Sequence, residues 1–403
     1  MTPLTATAVD LRGTPNPLAR HYSRFGVADG LVLTGHSHQA WPDVALAGQI
    51  EAFDDAAAVR DDKWDRALAK ADEVRAGYRR LLGDPAGEIA LAASTHELVV
   101  RFLSALDLRA RRLRVVTTGG EFHSLRRQLL RLAEEGLEVV WVDVDPVDTL
   151  AERLADATDE QTLAVMVSAV LFETARIVPD LGELAAACAR SGVELLVDAY
   201  HALGCVPFPI HELGLSSAWV TGGGYKYLQL GEGNAFLRLP DHAADVRPIL
   251  TGWFAEFGAR SQERHTGAVG YAPGAERFAG GTYDPTSNYR AAHVFRFFAD
   301  QGLKPELLRE SYLHQVGLLA DAFDALGVPD AVVTRDRVTP PTGFGGFLAL
   351  ESPYAESLDA GLRRRGVSVD RRGHFLRLGP APYLSDTQLE AAVDLLGESI
   401  ATL

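Results

Sequence analysis

Cysteine is almost missing from this chain. Only Cys188 and Cys205 occur among 403 residues, too few for a disulfide framework and in no metal-ligand spacing, which fits a reducing compartment such as the cytoplasm. Basic charge is also short. Lys and Arg number 39 against 54 Asp and Glu, and the net charge of −15 excludes a surface built for nucleic acid or an anionic membrane, because both reward clustered cations. The one Arg-rich stretch, 109–114, is short and reads as a solvated helix end beside a strand. Nothing approaches the roughly 20 consecutive apolar residues of a membrane span. Residues 1–19 lack the basic start and apolar run of a secretory signal, so a soluble, unexported protein is expected.

What is present is the composition of a folded globular protein, 47% hydrophobic and 23% charged, long enough to exceed one hydrophobic core. The expected division is an N-terminal segment over 1–60 that packs on a small domain, a large domain over 61–286, and the small domain itself over 287–403. Between 85 and 240, short β-branched runs at 113–117, 139–144, 163–168 and 193–198 alternate with helical spacing at 124–135, 147–157 and 181–191. That alternation predicts an α/β fold with parallel crossovers and a sheet covered on both faces. Strand-like 345–350 and 375–378, with helices at 354–365 and from 385, predict a compact α+β cap after it. The Gly/Pro-rich 271–285 reads as an ordered loop.

In parallel sheets ligands bind beyond the carboxyl ends of the strands, so polar residues that end an apolar run are the first candidates. Ser168 and Asp198 both end such runs. Asp198 suits a buried partner for a protonated ring nitrogen, and equally a turn cap. Some 28 residues on, Lys226 lies between Tyr225 and Tyr227 after three glycines. Desolvation there lowers a lysine's pKa and frees the amine for Schiff-base chemistry; the plain alternative is a lysine snorkelling past aromatics. Ser94, Thr95 and His96 precede a helical run and offer donors to a phosphate or an ordinary N-cap. The segment from Glu121 to Ser124 carries aromatic rings that could stack on a planar cofactor.

Six segments in order, LTGHSHQAWP (33–42), EIALAASTHEL (88–98), DAYHALGCVP (198–207), GYKYLQLGEG (224–233), TGWF (251–254) and LRLGPAPYL (376–384), resemble class V aminotransferase-like enzymes of fold type I, and kynureninases most of all. The resemblance implies a mainly parallel seven-stranded-type sheet with a smaller α+β C-terminal domain and pyridoxal 5'-phosphate as cofactor. It implies Lys226 as the Schiff-base lysine, Asp198 on the pyridine nitrogen, His201 supporting Asp198, Ser168 near the ring hydroxyl and His123 stacked on the ring. Phosphate contacts would come from Thr95, His96 and Tyr225, with Trp253 and Thr282 reaching in from a neighbouring subunit of a homodimer with shared active sites. Arg377 would hold the α-carboxylate of an amino-acid substrate, though a surface arginine ending a strand reads the same way, and Ser37 would lie on the substrate side.

The implied reaction is cleavage of the β,γ carbon bond of kynurenine or a related amino acid to alanine and an aromatic acid. Lys226 removes the Cα proton and Tyr225 assists at the γ-carbonyl. The chain departs from the kynureninase pattern at His36, His38 and Gln39 within Gly-His-Ser-His-Gln, at Ala57, at Leu171 and at Glu232. His36 and His38 read as new substrate contacts or as surface histidines of a loop. A class V aminotransferase or another lyase is the first alternative function, and a non-catalytic pyridoxal-phosphate-binding protein the second.

Overall fold

The computed structural model describes residues 7–106, 113–259 and 269–403. In chain order the elements are β1 (Leu31–Val32), α1 (Val44–Val59), α2 (Lys63–Leu81), β2 (Glu88–Ala92), α3 (Thr95–Ala105), β3 (Arg114–Thr118), α4 (His123–Glu134), β4 (Glu138–Val142), α5 (Leu150–Asp156), β5 (Thr162–Ser168) and α6 (Leu181–Ser191). They continue with β6 (Glu194–Asp198), β7 (Trp219–Gly223), β8 (Ala235–Leu239), α7 (Thr286–Asp300), α8 (Pro305–Ala325), β9 (Leu348–Glu351), α9 (Ala355–Arg364), β10 (Val367–Ser368), β11 (Asp370–Arg372), β12 (Phe375–Leu378) and α10 (Asp386–Ile400).

Seven strands form one sheet in the order β2-β8-β7-β6-β5-β3-β4. All run parallel except β8, which is antiparallel to both its neighbours. Period-2 side-chain alternation splits the strand residues between two cores. Val165, Val167, Leu195 and Val197 pack with Val74 and Tyr78 of α2 on one face. Ala164, Met166 and Leu196 pack with Leu98 and Phe102 of α3 and Leu129 of α4 on the other. With both faces covered, the strands can be apolar nearly throughout, which is why β5 and β6 are uninterrupted until Ser168 and Asp198.

The second unit is a three-stranded antiparallel sheet, β11-β12-β9. The N-terminal segment hydrogen-bonds to it: β1 pairs with β10, Leu33 N donates to Ser368 O, and Gly379 N to Leu33 O, both at 2.7 Å. Gly35 is needed here because a Cβ would collide with the carbonyl of Pro380. α6 stops at Gly192, in the left-handed conformation at φ +66, and α10 starts on a capping box between Ser385 and Gln388.

The predicted 181–191 and 375–378 coincide with α6 and β12. The predicted helix at 147–157 is a short 3-10 turn leading into α5. Residues 109–112 of the Arg-rich stretch lie outside the described residues. Arg114 opens β3 rather than ending a helix, and pairs with Glu138 and Asp159. Among the described residues no helix is long and apolar enough to cross a membrane.

Candidate active site

Three adjacent strand ends build the site. Ser168 at the end of β5 is in register with Asp198 at the end of β6, and Asp198 with Thr221 of β7. Asp198 caps its own turn, its Oδ1 accepting the Tyr200 N–H at 2.8 Å. β7 runs into the glycines, and the chain turns back sharply: Leu230 N donates to Gly224 O and Gly224 N to Asn234 O, both at 2.8 Å. A Cβ on Gly223 would lie 2.6 Å from the Tyr200 ring. The glycine run therefore lets Tyr200 and Lys226 close over the sheet edge.

A cavity of about 290 Å³ opens there, lined by Thr95, His96, Phe122, Ser168, Asp198 and Lys226 among others. Thr95 and His96 stand in the first turn of α3, whose N–H groups lack intrahelical acceptors. Ser94 caps that helix, accepting from Glu97 N at 3.3 Å, and Thr95 Oγ1 reaches the carbonyl of Gly222 in β7 at 3.5 Å.

Lys226 is 5% exposed, with Nζ 2.6 Å from His201 Nε2, 4.8 Å from the Tyr200 ring and 5.1 Å from the Phe122 ring. Burial pushes its pKa down to about 7, against a smaller upward pull from Asp198 and with help from the charges of Arg377 and Arg372. Burial raises Asp198, while the Tyr200 N–H and the Lys226 charge draw it back. Among the described residues no cation lies within ion-pair distance of Asp198. Burial, and next the Lys226 charge, holds His201 well below the usual histidine value, and its Nδ1 has no partner. Burial raises the Tyr225 phenol, with Asp198 and Glu232 adding to it.

Seven of the predicted residues, Thr95, His96, Ser168, Asp198, His201, Tyr225 and Lys226, thus line one cavity. Others stand elsewhere. His123 is exposed, its ring edge-on to Phe172; Phe122, one residue earlier and N-cap of α4, presents its ring to the cavity instead. His201 contacts Lys226, where support of Asp198 was expected. Trp253 Nε1 donates to Thr282 Oγ1 at 3.0 Å, and Thr282 lines a second cavity that shares Ala93, Glu232 and Gly233 with the first.

Arg377 is no surface residue. It is 2% exposed, with its guanidinium hydrogen-bonded to Asp370 and to the carbonyl of Phe172. Its Nε has no partner. His36 is fully buried, its ring 4.6 Å from Phe347 and its Nε2 3.6 Å from Asp370. Burial takes His36 to about 4. Burial tends to raise Asp370, but His36 and Arg377 hold it well below the usual carboxylate range. Ser37 lies beside exposed His38, 3.2 Å from its Nδ1. His38 stacks on Tyr225 at 4.9 Å and approaches Glu232 at 3.8 Å.

Sequence reasoning missed Tyr200, Phe172 and Asp370, whose roles depend on distant segments, and Glu121, a buried carboxylate beside Ser168. The segment holding Glu121 and Phe122 had been marked, but only for its rings.

No known family profile matches the chain. It is 25% identical over 349 residues to the uncharacterized aminotransferase YcbU of Bacillus subtilis (strain 168), a match covering 86% of this chain and 88% of that protein. A kynureninase of Monosiga brevicollis is 36% identical over 247 residues, covering 59% of this chain and 52% of that one. Among solved structures, the apo cysteine desulfurase from Thermococcus onnurineus NA1 superposes with a TM-score of 0.81 at 19% identity, covering 97% and 99% of the two chains. A C-DES variant with glycine covalently linked to its PLP cofactor superposes with a TM-score of 0.82 at 16% identity, covering 95% and 99%. The chain therefore has the fold of the pyridoxal-phosphate-dependent enzymes of fold type I, in the form shared by class V aminotransferases and cysteine desulfurases.

Proposed function

We propose that the chain is a pyridoxal 5'-phosphate enzyme acting on an α-amino acid, and that its reaction is of the kynureninase type, hydrolysing the β,γ carbon bond of kynurenine or a related amino acid to alanine and an aromatic acid. The observation that carries the cofactor reading is the placement of Lys226 and Asp198 on one cavity at the carboxyl edge of the sheet. The residues present fit the group. A carboxylate without a cationic partner suits a protonated ring nitrogen, a buried amine suits an aldehyde, and the first turn of α3 with Thr95 suits a phosphate.

When bound, the cofactor supplies an electron sink that weakens bonds to the substrate's central carbon. Lys226, with its pKa near 7, is free as a neutral base at working pH and takes the Cα proton. His201, held below the usual histidine value by burial, orients Nζ through the 2.6 Å contact with its Nε2. Asp198, its Oδ1 fixed by the Tyr200 N–H, would pair with the protonated ring nitrogen, whose charge would offset the burial that raises the Asp198 pKa. Tyr225, raised by burial, stays a phenol and so donates rather than accepts at the substrate's carbonyl. Arg377 supplies the cation for the α-carboxylate, with Nε as its uncommitted donor.

The aromatic wall of Phe122, Phe172, Tyr200 and Tyr225 supports an aryl side chain on the substrate, as does the partial kinship to a kynureninase. Cysteine desulfuration is disfavoured because it needs a reachable thiolate. Cys188 and Cys205 are both buried, and burial pushes them to about 11 and about 12. The altered positions 36, 38, 39, 57, 171 and 232 favour a second reading, an aminotransferase or lyase with another amino acid. By the resemblance, Trp253 and Thr282, hydrogen-bonded to each other, would complete the partner's site in a homodimer.

Incubation of the cofactor-loaded protein with kynurenine and with 3-hydroxykynurenine tests the reading. Alanine and an anthranilate-type acid in equal amounts are expected. A keto acid with the pyridoxamine form of the cofactor would establish the aminotransferase instead, and no product from either amino acid would remove the hydrolytic reading.

A further inference from the structure

We propose that Glu121 is a positioning residue for the cofactor, holding the Ser168 hydroxyl as a hydrogen-bond acceptor toward the cavity; this rests on the pyridoxal-phosphate reading above. Ser168 Oγ donates to Glu121 Oε2 at 2.7 Å, and the Ser168 N–H donates to Oε1 at 3.0 Å, where Thr118 Oγ1 also donates at 3.2 Å. A hydroxyl has one proton and two lone pairs. With its proton committed to Glu121, Ser168 can offer the cavity it lines only its lone pairs.

Glu121 is 1% exposed, and among the described residues no cation lies within ion-pair distance of it. A buried carboxylate held by three donors alone is costly to maintain. Burial pushes its pKa up to about 7, the Ser168 donors oppose this, and the Asp198 charge adds to it. That cost points to a use at the site.

Strand order says which part of the cofactor Ser168 meets. The start of α3 lies over β7 through Thr95 and Gly222, Asp198 ends β6, and Ser168 ends β5 on the far side. A pyridoxal ring held with its nitrogen at Asp198 and its phosphate arm at α3 would have its hydroxyl edge beside β5, because the hydroxyl and the phosphate arm flank the aldehyde on opposite sides. Ser168 as acceptor then favours the protonated ring oxygen.

Replacing Glu121 by Gln reverses this polarity. The Ser168 N–H still requires the remaining oxygen, so the amide NH₂ faces Ser168 Oγ, which must accept and turn its own proton to the cavity. A donor there stabilises the ionised ring oxygen. The other titratable groups that line the cavity are Asp198 from β6, Lys226, Tyr225 and Glu232 from the turn after β7, Tyr200 and His201 after β6, and His96 of α3; all are unchanged in the variant.

The test is the absorbance of the bound cofactor against pH in the holoprotein. In Glu121→Gln the transition should move to lower pH by about one pH unit, the shift equivalent to one ordinary hydrogen bond. In a Ser168→Ala background the same substitution should move it no further. A transition unmoved by Glu121→Gln, or a shift that persists in full without Ser168, overturns the proposal. If Glu121→Gln does not fold, Ser168→Ala alone must lower the transition pH, and an unmoved transition again overturns it. A wild-type protein that stays colourless with pyridoxal phosphate overturns the functional reading as well, whereas a yellow wild type with unmoved variants overturns this proposal alone.

Discussion

Lys226 stands where a cation is poorly tolerated, and the role proposed for it rests on that. Its folded pKa, lowered first by burial to about 7, lies below the ordinary lysine value. Between these two values the unfolded chain holds a proton that the native amine does not, so this group's contribution to stability rises with pH across that window. The neutral amine should accordingly dominate from about pH 7 upward. Stopped-flow capture of pyridoxal phosphate by the apoprotein should speed up roughly tenfold per pH unit below 7 and level off above. A rate still climbing into the ordinary lysine range would contradict this. Asp198→Asn keeps the shape and removes the charge; the cofactor should remain bound while turnover falls by roughly 10²–10³. Which ring lines the cavity is a one-residue matter. Phe122→Ala should weaken cofactor affinity by about 1 kcal/mol, and His123→Ala should leave it unchanged. The residues before α4 revealed that a ring was available, but which one faces inward is set by where the helix begins, and no pattern within Glu-Phe-His-Ser shows that.

The turn after β7 is positioned from outside itself. Gln39, where kynureninases carry glycine, joins a buried chain in which Gln39 Nε2 donates to Tyr312 of α8 at 2.7 Å and Gln229 Nε2 donates to Gln39 at 2.9 Å. Gln229 closes the turn that begins at Lys226, its N–H donating to Lys226 O at 3.2 Å. Gln39→Leu leaves the Gln229 NH₂ and the Tyr312 hydroxyl without their Gln39 partner and should cost about 1–3 kcal/mol in chemical denaturation; a loss under about 0.5 kcal/mol would show that these bonds do not hold the turn. The alternation of β5 and β6 was readable because both faces of a parallel sheet are apolar and each strand ends on one polar residue. The first turn of α3 was readable from Ser94, Thr95 and His96 for the same local reason. Gln39 was not, because its partners lie 190 and 273 residues away.

Across the molecule, the small antiparallel sheet draws the N-terminal segment over it and buries His36 against Phe347 and Asp370, so a histidine that read as a substrate contact or as part of an exposed loop is in the core. Burial sets its folded pKa near 4, below the ordinary histidine value, so the unfolded chain takes up more protons in that window and stability is lost as pH falls through it. His201 acts in the same direction, while Glu121, raised by burial, opposes both. His36→Asn should therefore flatten the acid side of the stability profile, and an unchanged profile would deny His36 that role. The placement of Lys226 beside Asp198 on one cavity was legible because one strand-end acid and one glycine-flanked amine share a sheet edge; the surroundings of His36 and Arg377 were not, because they come from segments that only folding brings together. Reduction of the loaded protein with borohydride, followed by digestion and mass measurement, tests the central claim most directly. The account predicts a phosphopyridoxyl group on Lys226 and on no other lysine; the same group on a different residue, or no adduct at all, would contradict it.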